Sequence, residues 1–221
     1  MPKKDRQNYF RIFLIAAALA VCGLIVWAII AADKPPKLSK VPKTYDNLVT
    51  ALVGENTANK KYLLYAGKAD SEGNTGAAVL FRAIAAGERV HIGREYALAN
   101  DVSPLMMPPA GSVTVGDTEE NLEACIKGEN YETTLMYPKF AQTAEDEKYT
   151  AATDAFDEIG KAEAVHEQLY KEMLTNLEKT GGVKEAATYY VCPVCGNVTE
   201  GEAPDRCPIC DTPGSKWAEY R

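Results

Sequence analysis

Residues 47–56 read NLVTALVGEN, and residues 121–130, 74 positions later, read NLEACIKGEN. A second echo follows each. Glu88-x-x-His91, inside GERVHIG, returns 75 positions on as Glu163-x-x-His166, inside KAEAVHEQ, and these two histidines are the only ones in the chain. The chain is therefore internally duplicated. Each half supplies a helix with a lone glutamate, Glu55 or Glu129, and a second helix with Glu-x-x-His. Residues i and i+3 share a helix face, so Glu88 with His91, and Glu163 with His166, can each reach one ion. Two pseudo-symmetric halves then build two adjacent metal positions, with carboxylates bridging both ions and one imidazole capping each. Leu48, Leu52 and Tyr62 lie on the face of Glu55, so that carboxylate points into the core, where it is costly unless it meets a cation.

The periodicity predicts four helices, near residues 45–70, 75–100, 118–147 and 150–180. Asp117 and Glu120 stand at capping-box spacing, and Gly181-Gly182 suit a helix end. NDVSPLMMPPAGSVTVGDT, between the second and third helices, is too long for a hairpin. It fits one crossover running along the bundle, which makes the fold an all-α ferritin-like four-helix bundle. Glu55 to Tyr62 is seven residues, two full turns, but Glu129 to Tyr137 is eight. The offset between the halves changes from 74 to 75 across this stretch, which predicts a π-bulge between Glu129 and Tyr137 that turns Tyr137 back towards the metals.

The C-terminal stretch carries CPVCG and CPICD, two C-x-x-C knuckles formed by Cys192, Cys195, Cys207 and Cys210. Four thiolates at this spacing hold one tetrahedral ion, iron or zinc, which the spacing does not separate. Cys22 and Cys125 read as small buried apolar residues. At the other end, Lys3, Lys4, Arg6 and Arg11 precede an uncharged run over residues 12–32. As a helix that run spans about 31 Å, a bilayer core, so residues 1–32 are expected to form an N-terminal transmembrane helix and single-pass anchor. Residues 33–44, rich in Lys and Pro, form a tether. Four basic residues stand on either side of the span, so the charge count does not orient it; a short basic tail normally stays inside, which favours a folded part outside the cytoplasm. The whole chain carries a net charge of −7, and the basic anchor leaves the remainder more acidic still, which excludes a nucleic-acid binder.

NLVTALVGENTANKKY, FRAIAAGERVH, NLEACIKGENYETTLMYPKF, KAEAVH and CPVCG…CPICDTP together resemble rubrerythrins over nearly everything after the tether. The resemblance implies a ferritin-like di-iron domain over residues 45–182 joined to a rubredoxin-like domain over residues 188–221. It implies a peroxidase that reduces hydrogen peroxide to water and is re-reduced through the four-cysteine iron by an electron-donor protein or reductase. It adds Glu132, in the Gly-Glu-x-x-Glu segment, to Glu55, Glu88, His91, Glu129, Glu163 and His166 as a di-iron ligand that exchanges with His91, and it makes Tyr62 and Tyr137 site tyrosines. It further implies a head-to-tail homodimer with each cysteine centre beside a partner's di-iron site. Two features depart from the pattern: the anchor, and Asp211 where the knuckle often has glycine. The rival functions are a ferroxidase on the same scaffold and a non-catalytic membrane adaptor with a structural zinc ribbon.

Overall fold

A computed structural model describes residues 42–182, 185 and 187–221. The expected anchor lies outside the described residues, as does the tether up to residue 41. Among the described residues no helix is long and apolar enough to cross a membrane. The tether ends sooner than expected: Pro42 is extended and the first helix, α1, already begins at Lys43.

The bundle follows in order: α1 (Lys43–Ser71), α2 (Thr75–Val102), α3 (Thr118–Tyr131), a π-turn (Glu132–Met136), α4 (Tyr137–Asp146) and α5 (Thr150–Thr180). In α1 the buried positions Leu48, Ala51, Leu52, Glu55, Ala58, Tyr62, Tyr65, Ala66 and Ala69 trace one stripe at helical spacing. In α2 the run from Gly76 to Glu88 is buried almost throughout, and its small residues let neighbouring helices close in. Asp117 and Glu120 form the expected capping box. Gly181, at φ 68°, ends α5 in the left-handed conformation that a glycine takes without strain.

The predicted π-turn is present. Tyr137 N–H donates to Glu132 O, five residues back, and the one extra residue lets α3 and α4 continue as a single helical arm with different faces inward. The crossover from Ser103 to Asp117 is laid along α1. Asn56 Nδ2 donates to Pro108 O at 2.8 Å, Gly111 N to Thr57 Oγ1 at 2.8 Å, and Tyr65 Oη to Thr114 O at 3.0 Å.

The duplication is also written into the helix ends. Glu72 accepts from Thr118 N (2.9 Å) and Thr118 Oγ1 (2.6 Å), and Glu147 accepts from Thr44 N (2.9 Å) and Thr44 Oγ1 (2.6 Å). Each half thus satisfies orphan N–H groups at the start of the other half's first helix.

Two apolar clusters flank the acidic layer. Tyr62, Phe81, Ile84, Leu122 and Tyr170 lie in one; Leu48, Leu52, Met136, Phe140 and Phe156 lie in the other. The C-terminal module is a three-stranded antiparallel sheet, with β1 (Tyr189–Val191) between β2 (Val198–Glu200) and β3 (Ala218–Tyr220). Tyr189, Val191 and Val198 from this sheet join the first apolar cluster, so module and bundle share a core.

Candidate metal centres

Six of the seven expected ligands converge in two overlapping groups. Glu55, Glu88, His91 and Glu163 form one; Glu88, Glu129, Glu163 and His166 form the other. Within each group the donor atoms all lie within 4.8 Å of one another. Glu88 and Glu163 belong to both, as bridging carboxylates must. All six side chains are at most 1 % exposed. Glu132 stands apart: it is half-buried at the start of the π-turn and outside both groups.

Burial of so many acids is a strong physical demand. Desolvation and the charge of Glu88 push Glu55 up to about 7. Desolvation and the neighbouring carboxylates hold Glu129 and Glu132 well above the usual range. Burial opposes charge on His166, yet Glu163 and Glu88 push it up to about 10. Oxygens of Glu55, Glu88, Glu129 and Glu163, and Nδ1 of His166, are buried without a hydrogen-bond partner. Unpartnered donors of this kind, all turned to common points, fit a pair of cations.

The histidines fix their own tautomer. His91 Nε2 lies 3.0 Å from Cys195 O, and His166 Nε2 lies 3.1 Å from Gly196 O. A carbonyl can only accept, so Nε2 carries a proton in either charge state, and Nδ1, facing the carboxylates, is the nitrogen that would give up its proton to a metal, as a ligating imidazole requires. His91 Nδ1 sits 2.7 Å from Glu163, and His166 Nδ1 likewise.

The tyrosines cross over between the halves. Tyr62 Oη donates to Glu129, and Tyr137 Oη donates to Glu55. Neither serves the glutamate on its own helical arm, because seven residues of helix put that carboxylate about 10 Å away along the axis. Tyr137 also lies 3.0 Å from Glu95, a fully buried carboxyl that the sequence reading missed. The signal existed: Glu88, His91, Glu95 and Ala99 occupy one face of α2.

In the C-terminal module Cys192, Cys195, Cys207 and Cys210 come together. Cys192 Sγ–Cys210 Sγ and Cys195 Sγ–Cys207 Sγ are each 3.5 Å. A tetrahedron with metal–sulfur bonds of about 2.3 Å has edges of about 3.8 Å, so the four sulfurs already approximate one. The thiol of Cys195 and nearby backbone N–H groups lower Cys192 to about 4. The knuckles match: Gly196 N bonds Cys192 O and Asp211 N bonds Cys207 O, with φ 75° and 61° at those two residues. Asp211 tolerates the left-handed turn because it faces solvent, where Arg206 grips its carboxylate through two bonds of 2.5 Å. Gly196 has no such freedom. A Cβ there would collide with His91 Nε2, and a Cβ on Gly87 would come within 2.6 Å of Gly196 O. One chain thus seats its own cysteine module against its own histidines.

Comparison with known proteins places these features. The rubrerythrin family model matches residues 46–174, and a second model, rubrerythrin, rubredoxin-like domain, matches residues 190–217. Nigerythrin from Nitratidesulfovibrio vulgaris is 34% identical over 181 residues, covering 81% of this chain and 88% of that protein. Rubrerythrin from Porphyromonas gingivalis is 36% identical over 182 residues, covering 80% and 90%. The solved structure of fully reduced, all-ferrous nigerythrin superposes with a TM-score of 0.75 at 33% identity, covering 86% of this chain and 91% of that one.

Proposed function

The chain belongs to the rubrerythrin family, and from that premise we propose that it is a non-haem di-iron peroxidase, reducing hydrogen peroxide to water with electrons relayed through its four-cysteine iron. The family carries both iron centres, and the two side-chain clusters described above fit them. Iron in the carboxylate site supplies two electrons and Lewis acidity, and iron among the cysteines supplies one electron at a time.

The observation that carries the reading is the pair of hydrogen bonds from His91 to Cys195 O and from His166 to Gly196 O. They join a ligand of each metal position to the backbone of one cysteine knuckle, a short covalent and hydrogen-bonded link between the two centres. A structural zinc ribbon has no need of such a link. Cys192 and Cys195 are buried, while Cys210 is partly exposed and is the cysteine an outside donor would approach.

The remaining residues manage charge and protons. Glu88 and Glu163, common to both groups, would be shared between two irons, Glu55 and Glu129 would each hold one, and Glu132, at the edge of the cluster, would supply the exchangeable carboxylate. Tyr62 and Tyr137 keep phenolic protons aimed at Glu129 and Glu55, from which a proton could be passed into the carboxylate cluster that would hold the irons. We read residues 1–32 as the anchor that ties this activity to a membrane, with the folded part outside the cytoplasm and chains paired as homodimers.

The test is reoxidation of anaerobically reduced, iron-loaded protein with peroxide and, separately, with oxygen. Peroxide is expected to be the faster oxidant by orders of magnitude. Faster reaction with oxygen, accompanied by accumulation of ferric iron beyond the ligand count, would instead identify a ferroxidase.

A further inference from the structure

Tyr137 presents a proton-counting problem. Its single hydroxyl lies within hydrogen-bond reach of two carboxyl groups, Glu55 Oε1 and Glu95 Oε1. A phenol has one proton to give, so one of these contacts must run the other way, from a protonated acid to the phenolic oxygen. Glu55 belongs to the first metal group, and a cation there keeps it ionised. Glu95 belongs to neither group and has no ion-pair partner among the described residues; its second oxygen is buried without any partner. An ionised carboxylate left that way is expensive, whereas a neutral acid is tolerable.

We infer that Glu95 is a positioning residue: a neutral carboxylic acid that donates its proton to Tyr137 Oη and thereby commits the phenolic proton to Glu55. Burial, and the charge of Glu55, hold the Glu95 carboxyl well above the usual carboxylate range, in keeping with this arrangement.

The duplication shows what Glu95 adds. The position 75 residues later is Tyr170, whose ring meets the edge of Tyr62 at a centroid distance of 5.5 Å. Tyr62 therefore has a carboxylate to donate to, Glu129, and among the described residues no second acid within hydrogen-bond reach, so its hydroxyl is held from one side only. Tyr137 is held from both. Glu95 makes the two metal positions inequivalent, and it does so on the side of Glu55 and His91.

This inference rests on Glu55 being a metal ligand and, for its kinetic arm, on the peroxidase reading. The full chain is loaded with zinc, which is redox-silent and keeps the ligands ionised, and its infrared spectrum is recorded. Wild type is expected to show the carbonyl stretch of an un-ionised carboxylic acid that is missing from E95Q at equal metal content. In the iron-loaded protein, E95Q, whose amide N–H still donates to Tyr137, is expected to be reoxidised by peroxide near the wild-type rate. E95L, which leaves Tyr137 Oη without that donor, is expected to be about tenfold slower. The loss should not add to that of Y137F, since both act through one hydroxyl. An unchanged infrared band in E95Q would overturn the inference, as would E95Q and E95L slowing the reaction equally. If E95L fails to fold, the infrared comparison decides alone. If wild type itself ignores peroxide, the peroxidase reading fails while the infrared result still decides the state of Glu95.

Discussion

Replacing Gly87 with alanine pits two effects of known sign against each other on one helix. In the interior of α2, alanine is favoured over glycine by about 1 kcal/mol. The same methyl group would sit 2.6 Å from Gly196 O and 3.1 Å from the His166 ring, inside the seat of the cysteine module. Backbone cannot yield as a flexible side chain would, and overpacking of this kind costs about 1–3 kcal/mol. If the module moves off, the bonds from His91 and His166 to the knuckle carbonyls go too, each worth about 1 kcal/mol. The helix therefore gains while the docked arrangement loses about 2 kcal/mol or more, roughly a thirtyfold shift towards an undocked module. Gly93, six residues along the same helix, has nothing within 4 Å of an added Cβ and serves as the control. G93A should raise thermal stability and leave electron delivery untouched. G87A should keep both metal sites loaded while reduction of the carboxylate site through the cysteine iron, followed by stopped-flow absorbance, slows by at least tenfold. If G87A behaves like G93A in both measurements, the module is not seated on that glycine and the proposed electron route loses its geometric basis.

Replacing Glu163 with alanine removes a carboxylate common to both ligand groups, so metal analysis should show both irons lost from the bundle, not one, with peroxide turnover abolished. C207S should leave a single peroxide-driven oxidation of reduced protein intact and block re-reduction through the cysteine centre; normal steady-state turnover with a rubredoxin-directed donor would refute the route. At the helix ends, burial raises the Glu147 carboxyl, but the hydrogen bonds from Thr44 and Lys43 outweigh it and the net shift is downward. A lowered folded-state value means the stabilisation is present above the unfolded carboxylate range and is lost as pH falls through the folded value. E147A should thus cost about 1 kcal/mol in chemical denaturation near neutral pH, a cost that shrinks as the medium is acidified below pH ~4. Removal of residues 1–34 should release a folded protein with both metal sites into the soluble fraction, since no ligand lies there; a wild-type chain recovered soluble with its N-terminus beyond Ala32 would show a cleaved signal instead.

Much of the centre was legible because its chemistry follows helical arithmetic. Glu-x-x-His needs only the i, i+3 relation, and two copies at one offset exclude coincidence. The π-turn was legible for the same reason, since an extra residue between Glu129 and Tyr137 must be absorbed somewhere. What the sequence hid were relations across space. It showed Tyr62 on the face of Glu55 but not that axial distance sends its hydroxyl to Glu129. It offered Glu95 as one more glutamate in an acidic chain, and its meaning appears only when Tyr137 swings beside it. Gly87 and Gly196, separated by more than a hundred residues, read as ordinary glycines until one packs on the other. The reciprocal caps, Glu72 on Thr118 and Glu147 on Thr44, were in plain view of the repeat, yet each bond closes between halves and no local pattern announces it.

The π-turn behaves like a dislocation in a crystal, trapped between two blocks that cannot slide. Above it, α3 must keep Leu122, Cys125 and Glu129 inward; below it, α4 must keep Tyr137, Phe140, Ala141 and Ala144 inward. Healing the fault into a regular α-helix with every residue kept would rotate everything downstream by about 100°, the turn of a single residue. Lys139 and Thr143 would then swing towards the apolar side, and Tyr137 would leave Glu55 and Glu95 behind. Moving the fault instead of healing it is equally barred, because each shift towards α3 or α4 unseats the next inward residue. A helix defect usually diffuses or heals; this one is pinned at both ends by side chains that neither block can surrender.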